Sequence, residues 1–107
     1  MSWWVSIEID TGGEYPATVH ECGNLTYNVA GILHDALGAE FRTLHGQPCS
    51  SSTSTLQRAI DAMRGDPARF EAMNPPNGWG SAPATLEFLE GMLSACQSHP
   101  KAQIRIN

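Results

Sequence analysis

Apolar and polar side chains alternate strictly at both ends of this chain, and between those ends the spacing changes to that of helices. Near the N-terminus Trp3, Val5, Ile7 and Ile9 fall on one side of an extended backbone, and Trp4, Ser6, Glu8 and Asp10 fall on the other. A period of two is that of a strand with one buried face. The last residues repeat the pattern, with Ala102, Ile104 and Ile106 opposed to Gln103, Arg105 and Asn107. A small sheet built from terminal strands, with helices supplied by the middle of the chain, is an α+β arrangement.

Thr11-Gly12-Gly13 after the first strand is a turn signal, and Tyr15 to Glu21 is expected to return as the second arm of a hairpin, with Ala17 and Val19 in phase with Tyr15. Pro16 has no N–H to give a ladder, which places it at the outer edge. Across the strands Arg105 or Lys101 is expected to face Glu8 or Asp10, a pairing worth about 0.2–1 kcal/mol.

The helical period begins after Asn24, expected to be the cap. Val29, Ile32, Leu33, Ala36, Leu37 and Phe41 recur at three- and four-residue steps, with Gly38 as a stop. Gly46 to Thr53 reads as a loop. Ser54 with Gln57 forms a capping box that opens a second helix, whose buried stripe is Leu56, Ala59, Ile60 and Met63 and whose end is Gly65. Asp66-Pro67 begins a short helical piece to Met73 with Phe70 inward. Asn74 to Gly80 is irregular, and Ser81 caps a last helix that buries Leu86, Leu89, Met92, Leu93 and Cys96 and ends at His99-Pro100. The expected fold is a single α+β domain over residues 1–107. It is a two-layer sandwich in which a two- to three-stranded sheet from the N- and C-terminal strands carries about three helices on one face. A chain of 107 residues buries about 65% of its unfolded surface, enough for one core.

Charge narrows the function. The chain carries 11 acidic and 6 basic residues, for a net charge of −5. Residues 1–40 hold Glu8, Asp10, Glu14, Glu21, Asp35 and Glu40 and no Lys or Arg, so the excess sits in the N-terminal part. Arg42, Arg58, Arg64, Arg69, Lys101 and Arg105 are spread singly, which argues against nucleic acid as a partner. No apolar run reaches the ~20 residues of a membrane span, and the first residues lack the pattern of a signal peptide. The expected location is the cytoplasm, that of the host if the chain is phage-encoded. Cys22, Cys49 and Cys96 are odd in number and far apart in sequence, which argues against a disulfide framework.

Several fragments of catalytic patterns occur, each with a plainer reading. Asp10-Thr11-Gly12 spells an aspartic-protease loop, but that chemistry needs two such loops on an all-β frame so that paired carboxylates share a proton. A half-helical chain offers a turn instead. His20, Glu21, Cys22, His34, Asp35, His45 and Cys49 are metal-ligand types without a recurring finger or ribbon spacing, so neither a metal nor another cofactor is expected. Serines and cysteines coexist with four histidines, yet no nucleophile-elbow signature surrounds any of them.

Two polar segments stand out. Asn24, Thr26, Tyr27 and Asn28 carry more hydrogen-bonding groups than one cap requires, and Asn74, Asn77, Trp79 and Ser81 belong to a Pro- and Gly-rich loop directly before a helix. Free N–H groups at a helix start can bind an anion while an indole offers a stacking face. If the two segments converge on a concave pocket, they form a site for a nucleotide or phosphorylated metabolite. The plainer alternative is a cap and a loop whose Trp79 is pinned to the core.

The segments Asn24-Leu25-Thr26-Tyr27-Asn28 and Ala72-Met73-Asn74-Pro75-Pro76-Asn77-Gly78-Trp79-Gly80, followed by a helix with Leu86, Phe88 and Leu89, resemble those of small uncharacterised proteins of actinobacteria and their bacteriophages. The resemblance runs from the first strand to the last helix and implies an accessory protein of a phage or mobile element; it carries over no catalytic residue.

The sequence is thus read first as a non-enzymatic interaction protein. Its acidic first part favours a basic partner surface, and Trp4, on the polar side of the first strand beside Glu8 and Asp10, is the expected contact. The indole would otherwise be covered by a second copy of the chain in a homodimer or by the protein's own second layer.

Overall fold

The computed structural model describes all residues from Met1 to Asn107. Strand β1 (Ser2–Ile9) is central and is flanked by β2 (Ala17–Thr26) and β3 (Gln103–Ile106), both antiparallel to it, in the order β2-β1-β3. Helices α1 (Ala30–Leu37), α2 (Cys49–Gly65), α3 (Pro67–Glu71) and α4 (Ala82–Ser98) form the second layer. The alternation at the chain ends places Trp3, Val5, Ile7, Ile104 and Ile106 in the core, against Ile32, Leu33, Leu56, Ile60, Leu89 and Met92 of the helices. The expected α+β sandwich is the observed fold.

β2 departs from simple alternation. Val5 pairs with Gly23 but Ser6 with Glu21, and Ile7 pairs with His20 but Glu8 with Thr18. Cys22 and Val19 are therefore extra residues, each making a β-bulge that reverses the phase of the strand beyond it. Thr18, Glu21 and Asn24 lie across from Glu8, Ser6 and Trp4 on the face away from the helices.

β2 also runs further than the sequence suggested. Asn24 is a strand residue and caps no helix; its side-chain amide donates to Trp3 O at 3.3 Å and to the hydroxyl of Ser2. The cap is Thr26, whose Oγ1 accepts from Asn28 N at 3.2 Å and opens a 3₁₀ turn over Tyr27–Val29 that leads into α1. Gly38, at φ 73°, ends α1 with its N–H on His34 O.

α2 begins at Cys49, not at the Ser54 capping box, and most of the expected Gly46–Thr53 loop is its first turn. Ser51 and Ser52 hydroxyls donate to Pro48 O at 3.1 and 2.8 Å, the back-bonding that lets such residues sit inside a helix. The Cys49 N–H, free at a helix start, donates to Ala102 O at 2.8 Å. Tertiary contact supplies this cap, so no local signal marks it. The later signals hold: Asp66 Oδ1 accepts from Arg69 N, Ser81 Oγ accepts from Ala84 N at 3.2 Å, and His99 ends α4.

The two sheet edges are treated differently. β3 is covered by residues 45–48, through Gly46 N to Ile104 O at 2.7 Å, Ile104 N to Gln47 O at 3.0 Å and Ile106 N to His45 Nδ1 at 2.9 Å. The outer edge of β2 is paired with nothing, and its first half, Ala17 to Glu21, is exposed on both faces. The bulges and Pro16 are devices that keep such an edge from flat pairing.

Candidate functional site

The face of the sheet turned away from the helices is concave. The β1–β2 connection curls back beside it, so that Tyr15 joins Trp4, Ser6, Glu8, Glu21 and Arg105 around a groove of about 310 Å³. Trp4 is 60% and Tyr15 75% exposed, so two large aromatic side chains line a polar hollow largely open to water.

Glu8 corrects the expectation of a solvated outer residue: it is only 7% exposed, because β1 is the middle strand and both neighbours crowd it. Of the expected cross-strand pairings, Arg105 with Glu8 is the one present, reached diagonally: Arg105 lies opposite Ser6 and Gln103 opposite Glu8, and Arg105 Nη1 stands 3.6 Å from Glu8 Oε1. That separation is an ion pair too long for a hydrogen bond. Arg105 Nε is engaged elsewhere, donating to Asn107 Oδ1 at 3.2 Å. No side-chain oxygen of the protein is both sealed and unbonded, so the free acceptors of Glu8 open into the groove. Glu21 stands beside it with no cationic partner.

Asp10 does not join this site. It lies beyond β1, where its Oδ1 accepts from Gly12 N at 2.8 Å while Thr11 Oγ1 donates to Tyr15 O. Asp10-Thr11-Gly12 is thus the start of a hairpin turn, with the side-chain bonding typical of Asp and Thr there.

The two polar segments do converge, with Asn77 Nδ2 donating to Asn28 Oδ1 at 3.4 Å. Between them, however, the chain is packed shut: a Cβ on Gly80 would lie 2.7 Å from Val29 Cγ1 and 2.8 Å from Thr26 Cγ2. The polar groups are used locally. Asn74 Oδ1 accepts from Ala82 N at 2.7 Å, Asn77 Oδ1 accepts from Trp79 N at 2.9 Å, and Ser81 caps α4. Tyr27 rests edge-on against Trp3, with ring centroids 4.7 Å apart. None of the hollows in the surface is lined by these segments. Trp79 overturns the pinned-loop expectation, since it is 69% exposed.

The metal-ligand types are dispersed: His34 pairs with Glu40 at 3.7 Å, His45 receives the Ile106 N–H, and no three His, Cys, Asp or Glu side chains are disposed to hold a metal ion. The cysteines, distant in sequence, come together. Cys49 and Cys96 are buried in the core with Cys22 near them, and all are free thiols. Burial pushes the Cys22 thiol up from 9.0 to about 11, with Cys49 and Glu21 adding to the effect. Burial also raises Cys96, helped by the neighbouring Cys49.

These raised thiols make stability depend on pH. Below pH 9 both folded and unfolded chains hold the protons, and stability is flat with respect to them. From pH 9 towards 11 the unfolded thiols ionise while the folded ones do not, which favours unfolding. The melting temperature is expected to fall across that window, and more steeply in the native chain than in a Cys96→Ala variant. Parallel profiles for the two would refute the assignment to the thiol.

No family model, curated protein or solved structure matches this chain. No helix is long and apolar enough to cross a membrane.

Proposed function

We propose that the protein is a non-enzymatic interaction protein, an accessory factor of a phage or mobile element acting in the host cytoplasm, which binds a basic protein partner through the outer face of its sheet. The resemblance of the Asn24–Asn28 and Ala72–Gly80 segments to proteins of actinobacteria and their phages supports the setting. The observation that carries the binding surface is the groove of Trp4, Tyr15, Glu8 and Glu21: exposed aromatics beside carboxylates, on a face the helices leave free. Aromatic anchors ringed by polar groups are the usual energetic centre of an interface, and carboxylates steer a basic surface towards them. The free edge of β2 continues the same surface. The converged Asn segments support the small-ligand alternative less, because their polar groups bond one another.

The immobilised protein is expected to retain a basic partner from host lysate at low salt and to release it at high salt, because exposed charge pairs are screened. A Trp4→Ala, Glu21→Lys double variant should retain none. Equal retention by the variant would show that another surface binds.

A further inference from the structure

We infer that the groove on the outer sheet face is a socket for a single arginine side chain of an extended, peptide-borne segment, with Glu8 as the acceptor of its guanidinium. The inference rests on the proposed partner-binding role of that face and specifies its anchor.

Three features point to arginine. Glu8 is a carboxylate whose side chain is largely covered, yet its oxygens receive no hydrogen bond from the protein and open into the groove; only Arg105 approaches it, at 3.6 Å. Its unused acceptors face the groove, and a guanidinium entering there would meet them with charge-assisted hydrogen bonds. Glu21 leaves the groove with two carboxylates against one guanidinium, so it is complementary to one more positive charge. Finally, Trp4 and Tyr15 expose their rings at the rim and neither is stacked by a cation of the chain, whose one such contact is Arg69 on Phe70.

A planar guanidinium can lie against an aromatic face while its edge N–H groups fork onto a carboxylate. A lysine ammonium is a compact, strongly hydrated point charge and does not fill both roles at once. The groove is open along the outer face of the sheet, so an extended segment lying across it can present one side chain to Glu8 while its neighbours point away.

The test is a titration of the ¹⁵N-labelled protein with blocked glycine-flanked peptides bearing arginine, lysine or citrulline, the last being a neutral guanidinium isostere. The arginine peptide is expected to shift the Trp4 indole N–H and the amides of Ser6, Thr18 and Glu21, with weaker binding of lysine and none of citrulline. Glu8→Gln should weaken the arginine peptide at least about tenfold. Trp4→Ala, at an exposed position, gives the same reading if Glu8→Gln lowers the melting temperature. Arginine amide as a free molecule should bind more weakly than the peptide, since it lacks the flanking backbone that lies across the groove. Equal shifts with lysine and arginine, or shifts spread over the helix acids Asp61, Glu71 and Glu87, would overturn the socket and leave only attraction to an acidic surface. If partner capture depends on Trp4 and Glu21 while the arginine peptide leaves the Trp4 indole unmoved, the socket fails and the binding face stands; if capture does not depend on them, the face itself is wrong.

Discussion

Replacing Gly80 with alanine is expected to lower stability by about 3 kcal/mol, a large share of the total for a domain of this size. Gly80 has φ +99°, and a Cβ there would sit 2.7 Å from Val29 Cγ1 and 2.8 Å from Thr26 Cγ2. Left-handed backbone alone costs an L-residue about 1–2 kcal/mol, and overpacking against buried neighbours adds about 1–3. Neither neighbour can swing aside, because both are β-branched and stiff at χ1. Val29 is buried, and Thr26 is fixed by capping the turn that starts the first helix. Relief would have to come from lifting the whole Asn74–Gly80 loop, at the expense of the Asn77–Asn28 bond and the Asn74 cap on α4. Gly78 is the internal control. It has a similar φ of +76° but nothing within 4 Å of its Cβ position, so alanine there should cost about 1 kcal/mol. Urea unfolding of both variants checks the pair through the midpoints at unchanged slope. Equal losses would show that the contact with Thr26 and Val29 adds nothing.

What the sequence makes legible depends on where the deciding contacts lie. The terminal strands are legible because alternation is a property of the strand itself, and it names the core face; it leaves open which of Arg105 and Lys101 meets which of Glu8 and Asp10, and the register selects Arg105 and Glu8. The caps at Asp66 and Ser81 are equally local. The departures share the opposite cause. α2 starts at Cys49 because Ala102, from the far end of the chain, accepts its N–H. Asn24 has the chemistry of a cap, yet its donors go to Ser2 and Trp3 across the sheet. The bulges at Val19 and Cys22 decide that Glu21 faces the same side as Glu8, and neither residue type announces a bulge.

The site is half legible for the same reason. Phase alone places Trp4 on the outer face, and Glu8 with it. That Glu8 is almost closed off from solvent requires knowing that β1 is central and that the connection to β2 brings Tyr15 beside it. Tyr15 and Arg105, strand residues by their pattern, become walls of a groove once three strands are assembled. Their signal is their phase relative to Trp4 and Glu8, but it has no functional content until the register is known. Conversely, the polar composition of Asn24–Asn28 and Asn74–Ser81 suggests their convergence, while the packing of Gly80 between them depends on shapes that residue types do not encode.

Phe70→Ala is expected to cost about 4 kcal/mol and about 20 °C in melting temperature, more than the Gly80 substitution. Phe70 is 1% exposed and is the buried residue of α3, a helix of five residues that is far too short to hold itself. Beside it lies an apolar hollow of about 100 Å³ lined by Met63, Pro67, Ala82, Pro83 and Leu86. Loss of the ring would join its volume to that hollow. Two of the walls are proline rings and one is an alanine, so only Met63 and Leu86 can move in to fill it, which places the substitution near the middle of the ~3–5 kcal/mol range for a buried aromatic. α3 would then lose its only core anchor, and with it the Arg69 contact to Asp35 that ties it to α1. Phe70→Leu keeps most of the volume and should cost only about 1 kcal/mol. Similar losses for Leu and Ala would mean that the ring's shape, and not the cavity, sets the penalty. The groove of Trp4 and Glu8 lies on the opposite face of the sheet. At temperatures where Phe70→Ala remains folded, its arginine-peptide affinity should therefore match that of the native chain, separating a stability defect from a binding defect within one variant.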